Sequence, residues 1–278
     1  MPFNWSLNPY MGCEHRCAFC YVRAFERRAD RASGDEYGAA IRVKVNVAEV
    51  LERELSRRTW RRESVAVGAA TDPYQPAEGT YRLTRACLEV FVRHRNPIGL
   101  ITRGPMIVRD VDLLAELSRR AEVSVSFSIP TLDEEVWRAT EPGTAHPRQR
   151  LRALSKLVQA GVKAGVGMAP LLPGLSDRPD QIDEVARAAR DAGATFLWGN
   201  VLYLRPGTRE HFLDVLARHW PEMLCGYRNA FTRAYLPEAV RGPIVERVWV
   251  ARRRHGIGDH RFVRLEPPPE PRQLTLAV

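Results

Sequence analysis

Three cysteines lie within eight residues of one another near the start of the sequence: Cys13, Cys17 and Cys20. Thiols at this spacing favour a soft metal in a reducing compartment over disulfide bonds. Structural zinc takes four ligands, often as two separated pairs, and the remaining cysteines, Cys87 and Cys225, stand alone in the sequence. A four-iron cluster also presents four irons for ligation, so three thiolates would leave one iron open to an external ligand.

A metal site without catalytic chemistry is the alternative interpretation of this motif. A zinc ion or a redox-silent iron–sulfur cluster would then act as a structural staple in a nucleic-acid-associated protein without turnover. The charge of the chain supports that alternative, because 42 basic residues against 33 acidic ones give a formal net charge of +9. However, 39 of the basic residues are arginines and three are lysines, which also fits a compositional bias of the genome.

The alternation of apolar segments predicts the elements that must position these groups. We predict six strands, at residues 3–9, 64–70, 97–102, 123–129, 162–169 and 196–204. Helices are predicted where apolar residues recur at helical spacing, at residues 47–58, within 83–91, 111–117 and 151–158, and after 176–177. Beyond Pro206 the pattern is mainly helical as far as residue 254.

The order of these elements predicts the fold class and the division of the chain. Six β–α units in succession indicate parallel strands joined by right-handed crossovers, and therefore an α/β protein. We divide the chain into a core at residues 1–205, a helical extension packed on the core at 206–262 and a loose proline-rich tail at 263–278.

Polar residues follow several of the predicted strands. Thr71 and Asp72 come after the second strand, Arg103 comes after the third, and Ser126 and Ser128 lie near the end of the fourth. In parallel barrels the chemistry lies at the carboxyl ends of the strands. We therefore expect the chemistry of the protein at these strand ends, beside the cysteine loop that follows the first strand.

The motif CxxxCxxC, with Phe19 directly before its last cysteine, resembles the signature of radical S-adenosylmethionine (SAM) enzymes. The resemblance implies a [4Fe–4S] cluster on Cys13, Cys17 and Cys20, with Phe19 packed over it. It also implies that SAM binds the fourth iron through its amino and carboxylate groups. The reduced cluster would cleave SAM to a 5′-deoxyadenosyl radical, which abstracts a hydrogen atom from the substrate. The fold implied is a partial (β/α)6 TIM-like barrel of parallel strands with a C-terminal helical extension.

Further motifs resemble the branch related to spore photoproduct lyase, and this resemblance spans residues 4–205. They are the TDPYQPxE loop at 71–78, Thr84-Arg85, Arg109-Asp110, Glu141-Pro142 and Ala169-Pro170. The DNA-repair members of that branch carry a hydrogen-donating cysteine at the carboxyl end of the second strand, where this sequence reads GAAT at 68–71. The missing thiol argues against the DNA-repair reaction and leaves the substrate open.

The resemblance also implies cofactor contacts at the strand ends. Thr71 and Asp72 stand where the superfamily meets the amino group of SAM, although Asp72 before a proline also fits a simple turn. Arg103 stands where the lyases carry a lysine near the SAM carboxylate, and the alternative is a surface arginine. Ser128, with Ser126 on the same face of the strand, matches a contact to the ribose hydroxyls, and the alternative is a small residue that fills the barrel.

Two cysteines and two tyrosines outside the motif are expected to have structural roles. Cys87 lies on the apolar face of a predicted helix and is expected in the core, while a packing role is expected for Cys225. Tyr74 and Tyr227 could carry a radical, but buried tyrosines with satisfied hydroxyl groups are far commoner. Glu141 belongs to the lyase-like pattern, yet it lies three residues after an arginine and equally fits a surface ion pair.

The length and composition restrict the cellular setting. A chain of 278 residues with 27% charged residues is ordinary for one large globular domain. No stretch approaches the roughly 20 apolar residues that span a bilayer, and no secretory signal is visible at the start. We therefore expect a cytoplasmic protein. Its expected partners are an electron donor such as flavodoxin or ferredoxin, as the resemblance implies, and an anionic substrate, with nucleic acid as one option.

Overall fold

Eight β-strands are present in the computed structural model, which describes residues 3–259 of the chain. They are β1 (Trp5–Leu7), β2 (Tyr10–Met11), β3 (Arg42–Val43), β4 (Val65–Val67), β5 (Ile98–Thr102), β6 (Val123–Ser128), β7 (Lys163–Leu171) and β8 (Leu197–Val201). Six of them form one sheet in the order β1, β4, β5, β6, β7 and β8, and every pairing in it is parallel. The predicted α/β fold with six parallel strands is confirmed.

Eleven α-helices join or flank these strands within the described range. They are α1 (Arg23–Arg28), α2 (Val47–Leu55), α3 (Ala77–Tyr81), α4 (Leu83–His94), α5 (Val111–Ser118), α6 (Glu134–Thr140), α7 (Pro147–Gln159), α8 (Pro179–Asp191), α9 (Thr208–His219), α10 (Leu224–Ala230) and α11 (Glu238–Arg254). Short 3₁₀ helices cover Pro105–Asp110 and Pro221–Met223. Each neighbouring pair in the sheet is therefore joined by a crossover that contains at least one helix.

The hydrophobic core lies between the sheet and the crossover helices. Every residue of β6, the third strand from the β8 edge, is buried. Helix α7 turns Leu151, Leu154 and Leu157 toward this core at the helical spacing seen in the sequence. Full burial of one such side chain contributes about 1.5–3 kcal/mol to folding. The rigid layer so formed fixes the carboxyl ends of the strands relative to one another.

The observed strands and helices differ from the predicted ones at their ends, and several short elements were not predicted. The sixth predicted strand ends at Val201 and not at residue 204, whereas β7 extends to Leu171 and its pairing with β8 is irregular after Met168. The β2–β3 pair, α1, α3 and α6 were not predicted, because segments of two to seven residues carry too little periodicity to be recognised. The predicted helix at 47–58 ends at Leu55.

The segment after β8 is helical and packs against the sheet. Helix α11 lies on β8 and α8, and the chain beyond it returns to the sheet edge, where Gly258 accepts a hydrogen bond from the backbone N–H of Leu197 at 3.1 Å. The proposed boundary at residue 205 stays a prediction, and the tail at 263–278 lies outside the described residues. Between residues 3 and 259, no helix is long and apolar enough to cross a membrane.

Candidate cofactor site

The cysteine motif forms one loop between β2 and α1. Cys13 and Cys17 are buried, Cys20 is half-buried, and all three are free thiols. Burial raises the pKa of Cys17 to about 12, and burial together with Asp72 and the neighbouring cysteines raises the pKa of Cys13 well above its usual range. These two thiols therefore hold their protons when no metal is bound. Ligation as thiolates releases those protons, so metal uptake at this loop depends on pH.

The loop supplies sulfur ligands without a preformed site for a single ion. Within residues 3–259, no three His, Cys, Asp or Glu side chains converge as one metal ion would require. A cluster of several irons takes one thiolate at each of three separate corners, so its ligands need not meet at a point. The nearby His15 Nδ1 is buried 3.2 Å from Asp72 Oδ2 without the alignment of a hydrogen bond. Three soft donors on one loop fit an iron–sulfur cluster better than a zinc ion.

The last residue of α6 and the segment that follows it support the cysteine loop through their backbone. The N–H of Ala18 donates to the Thr140 carbonyl at 2.8 Å, and the N–H of Gly143 donates to the His15 carbonyl at 3.1 Å. A Cβ atom on Gly143 would lie 2.3 Å from the carbonyl oxygen of Glu14. This contact is with backbone and cannot be relieved by a rotamer change, so the close approach of the two segments requires glycine.

We expect Gly143→Ala to loosen the cysteine loop. The added methyl group must push the two backbones apart, and overpacking of this kind costs about 1–3 kcal/mol. Urea unfolding would measure the loss, and iron content after anaerobic reconstitution would show whether the loop still binds metal. Gly226→Ala is the matched control, because a Cβ there meets nothing within 4 Å on α10 and the change is expected to stabilise the helix by about 0.5–1 kcal/mol. Equal stability of both variants would contradict this account.

Asp72 is held as a buried carboxylate at the carboxyl end of β4. Its Oδ1 accepts hydrogen bonds from the Tyr74 N–H at 2.8 Å and the Thr102 hydroxyl at 2.7 Å, and its Oδ2 accepts one from the Arg103 N–H at 2.6 Å. Burial alone would raise its pKa, but His15, the Thr102 hydroxyl and the Arg103 N–H lower it to about 2. The side chain is therefore ionised at neutral pH, and the turn proposed as its alternative role is also formed.

Gln75 ties the Asp72 loop to the cysteine loop, and sequence reasoning gave it no role. The side chain is fully buried, and its Nε2 donates to Thr71 Oγ1 at 2.9 Å, while its Oε1 accepts from the Glu14 N–H at 2.9 Å. Thr71 Oγ1 donates in turn to the Gly12 carbonyl at 2.6 Å. Its place between two prolines in the TDPYQP loop was the available signal, because such a loop is stiff and can aim a side chain.

Arg103 lies against the site and not on the open surface. Its Nε donates to Glu141 Oε1 at 2.6 Å, its Nη2 donates to the Ala169 carbonyl at 3.1 Å, and its guanidinium carbon lies 5.5 Å from the centre of the Phe19 ring. No hydrogen bond among residues 3–259 uses Arg103 Nη1. The surface-arginine alternative is wrong, since four-fifths of the side chain is covered.

Glu141 is a buried bridge between two arginines, so the interpretation as a surface ion pair with Arg138 is wrong. Only 1% of the Glu141 side chain is exposed, and its Oε2 accepts from Arg150 Nη2 at 2.9 Å. Burial alone would raise its pKa, but Arg150 and Arg103 outweigh burial and hold the pKa below its usual range. Arg138 pairs with Glu134 instead, at 2.8 Å and in solvent. A surface carboxylate needs no partner, whereas a buried carboxylate needs compensating positive charge. Arg103 and Arg150 supply that charge to Glu141.

The two serines predicted as cofactor contacts are both buried in β6. Ser126 Oγ accepts a hydrogen bond from the Trp198 indole N–H at 3.2 Å, and the Trp198 ring packs against Gly167, where a Cβ would lie 2.8 Å from it. The Ser128 carbonyl accepts from Arg150 Nη1 at 2.8 Å. Trp198 was missed by sequence reasoning, because a tryptophan in a strand usually marks core packing.

Three of the four remaining residues singled out by sequence are buried, and Cys225 is not. Cys87 is buried on α4, as expected, and Cys225 is exposed on α10. The Tyr74 hydroxyl donates to Asp110 Oδ2 at 3.1 Å and the Tyr227 hydroxyl donates to the Pro173 carbonyl at 2.6 Å. Both tyrosines therefore have satisfied hydroxyl groups, which matches the structural role expected for them.

A protein-family model and several known sequences resemble this chain. The chain matches the family model described as the Radical SAM superfamily over residues 7–189. An uncharacterized protein of Mycobacterium tuberculosis is 38% identical over 281 aligned residues, which cover 100% of this chain and 81% of that protein. An uncharacterized protein of Acidianus two-tailed virus is 30% identical, over 77% of this chain and 72% of its own length.

Solved structures of radical SAM enzymes share the fold. A variant of spore photoproduct lyase with bound AdoMet and dinucleoside spore photoproduct superposes with a TM-score of 0.59 at 18% identity, covering 91% of this chain and 73% of the lyase. Streptococcus suis SuiB bound to S-adenosylmethionine gives a TM-score of 0.51 at 16% identity, covering 82% of this chain and 45% of SuiB. These likenesses confirm the partial TIM-barrel fold. Since the family model matches more than half of its length, the chain belongs to the radical SAM superfamily and is a radical SAM enzyme.

Proposed function

We propose that Cys13, Cys17 and Cys20 hold a [4Fe–4S] cluster and that SAM binds beside it at the carboxyl ends of β4, β5 and β6. The observation that carries this proposal is the junction of the buried three-cysteine loop with a fixed, ionised Asp72 through Thr71 and Gln75. When bound, the cluster supplies one electron that cleaves SAM to methionine and a 5′-deoxyadenosyl radical, which removes a hydrogen atom from the substrate.

The proposed SAM contacts are polar groups at the strand ends that still have hydrogen-bonding capacity. Asp72 already accepts three hydrogen bonds, and a carboxylate with about four lone-pair sites keeps capacity for an ammonium group. Arg103 Nη1 is available to a carboxylate, while Glu141 fixes the other side of the guanidinium. We place the amino group of SAM on Thr71 and Asp72 and its carboxylate on Arg103.

Two serines are assigned to the ribose of SAM, and Phe19 is assigned to shielding the cluster. Ser126 and Ser128 face the same side of β6, where their hydroxyl groups would meet the ribose. Trp198 orients the Ser126 hydroxyl by donating to it, which leaves that hydroxyl free to donate onward. Phe19 is buried beside Cys20 and would shield the cluster from water.

The production of 5′-deoxyadenosine tests the proposed function. The protein would be purified and reconstituted with iron and sulfide without oxygen, reduced with dithionite, and incubated with SAM. We expect an iron–sulfur absorbance and the release of 5′-deoxyadenosine that requires both reductant and SAM. A colourless zinc protein that forms no 5′-deoxyadenosine would contradict the proposal and would support the non-enzymatic alternative.

We expect Asp72→Asn to weaken SAM binding while the cluster is retained. The change replaces an acceptor-only group with one that carries two N–H donors, so an ammonium loses a charged acceptor. Hydrogen bonds to charged groups contribute about 1.5–3 kcal/mol, which is roughly a 10- to 100-fold rise in the dissociation constant. Equilibrium binding of SAM to the reconstituted protein would measure the change.

Asp133→Asn is the control for this variant. Asp133 also accepts a backbone N–H, from Val136 at 3.0 Å, but it caps α6, and asparagine caps helices equally well. We expect no change in SAM affinity for this control. If the two variants bound SAM equally, Asp72 would not be a cofactor contact.

The electron donor and the substrate are proposed by chemical class. We propose a one-electron protein donor such as flavodoxin or ferredoxin, and a reducing, cytoplasmic setting in which free thiols persist. We propose an anionic substrate, supported by the net charge of +9 and by an exposed Arg205 four residues after β8. Binding of a nucleic acid that weakens steeply with salt would support a polyanion. If nucleic-acid binding were absent or did not depend on salt, the net positive charge would have no role in binding a polyanion.

A further inference from the structure

Arg23 is a deeply buried arginine at the start of α1, three residues after Cys20. Only 1% of it is exposed. Its guanidinium donates four hydrogen bonds of 2.6–3.1 Å, to the carbonyl oxygens of Arg16, Cys17, Ser33 and Gly34. Two of these carbonyls belong to the cysteine loop itself. The side chain therefore reaches under the loop from the helix that follows it.

The charge of Arg23 has no carboxylate beside it. Among residues 3–259, no acidic side chain lies within 4.0 Å of its guanidinium, whereas Arg150 pairs with Glu141 at 2.9 Å and Arg252 pairs with Asp259 at 2.5 Å. Arginine stays charged in proteins, and buried charges are normally paired because removing them from water is costly. Carbonyl dipoles compensate only part of a full charge. The described residues supply no carboxylate to this buried charge, so an anion nearby would stabilise it.

The surroundings of Arg23 include two of the three motif cysteines. Its guanidinium carbon lies 4.5 Å from the centre of the Tyr37 ring, and the Tyr37 hydroxyl lies 3.6 Å from Cys20 Sγ. Arg23 therefore contacts Cys17 through its carbonyl and reaches Cys20 through Tyr37, and both cysteines are proposed cluster ligands. A [4Fe–4S] core of charge 2+ with three thiolates carries a net charge of −1, which becomes −2 when the core accepts one electron.

We propose that Arg23 is the internal counter-ion of the cluster and favours its one-electron reduction. This inference rests on the proposed function. The step converts [4Fe–4S]2+ to [4Fe–4S]+ with one electron from a low-potential one-electron donor, and no bond is broken and no proton is transferred. A fixed positive charge in a poorly solvated site stabilises the added negative charge, and net charge near a cluster is one of the factors that set its potential. Arg23 acts through the ligands and is a positioning residue.

A redox titration of three variants tests this role. We expect Arg23→Gln to lower the equilibrium constant for one-electron reduction at least tenfold, which is a shift of about 59 mV toward more negative potential. Arg23→Lys keeps the charge, and we expect it to stay within about threefold of wild type. Arg28→Gln removes an exposed arginine from the same helix, and we expect no change in potential because water screens that charge. EPR-monitored titration and iron content would be measured for each.

The outcomes separate a charge effect from loop support. An unchanged potential in Arg23→Gln with full iron content would overturn the proposal. If Arg23→Gln does not retain iron, the Arg23→Lys variant decides between the two roles. Iron retained by Arg23→Lys at the wild-type potential would support the counter-ion role. Loss of iron from Arg23→Lys would show that Arg23 acts through its hydrogen bonds alone and would overturn the proposal. A wild-type protein that takes up no iron would contradict the proposed function and this inference together. A wild type that cleaves SAM, with a potential equal to that of Arg23→Gln, would contradict this inference alone.

Discussion

Cys17→Ala is expected to remove both the iron–sulfur absorbance and the formation of 5′-deoxyadenosine. Cys17 is the central residue of the three-cysteine loop and is buried, so neither water nor a neighbouring loop side chain can readily replace its sulfur. A cluster held by two thiolates would have two open irons and would lose its protection from solvent. We expect iron content and product to fall to the level of the protein-free control after identical reconstitution.

Cys87→Ala is the matched control for the loss of a buried thiol. Cys87 lies in the core on α4, outside the cysteine loop, and its truncation removes one sulfur from a packed interior. We expect full iron content and product formation, with a small decrease in stability. If Cys17→Ala retained iron and turnover at the level of Cys87→Ala, the three-cysteine assignment would be wrong.

Glu141→Gln is expected to be among the most destabilising single substitutions in this protein. The change leaves Arg103 and Arg150 without their common carboxylate, although both guanidinium groups stay charged. Removing one partner of a buried ion pair costs roughly 3–5 kcal/mol, because the remaining charge is left uncompensated. The free energy of unfolding from urea titration at neutral pH would measure this loss. SAM affinity should fall as well, since Glu141 holds Arg103 in position.

Glu134→Gln provides the comparison for an exposed ion pair. Glu134 meets Arg138 at 2.8 Å, with more than half of both side chains in solvent. Pairs of this kind contribute about 0–1 kcal/mol, so we expect a change within that range. A loss for Glu141→Gln no larger than that for Glu134→Gln would show that the network around Arg103 does not stabilise the fold.

Much of the fold was predictable because its signals are local. The strand β4 is a short apolar run, β6 alternates apolar residues with serine, and α7 shows apolar residues at helical spacing, so neighbouring residues alone indicate the element. The cysteine motif is local in the same sense, since its three ligands lie in one loop. Parallel crossovers then bring the polar residues that follow these strands to one end of the sheet.

The contacts that organise the site were not predictable because they join distant parts of the chain. Gln75 meets residues 61 and 63 positions earlier, and Glu141 meets an arginine 38 positions earlier. Nothing near Glu141 in the sequence distinguishes a buried carboxylate from a surface one. The buried position of Arg23 was hidden for a related reason, because nothing in the sequence distinguishes a buried arginine from the other arginines among the 39.

The EPR spectrum of the reduced protein, recorded before and after addition of SAM, tests the central claim most directly. That claim is a cluster held by three cysteines, with a fourth iron open toward Asp72 and Arg103. We expect a paramagnetic [4Fe–4S]+ signal whose shape changes when SAM is added, because SAM binds the open iron. A signal that SAM leaves unchanged, or a protein that contains zinc and gives no signal, would contradict the account.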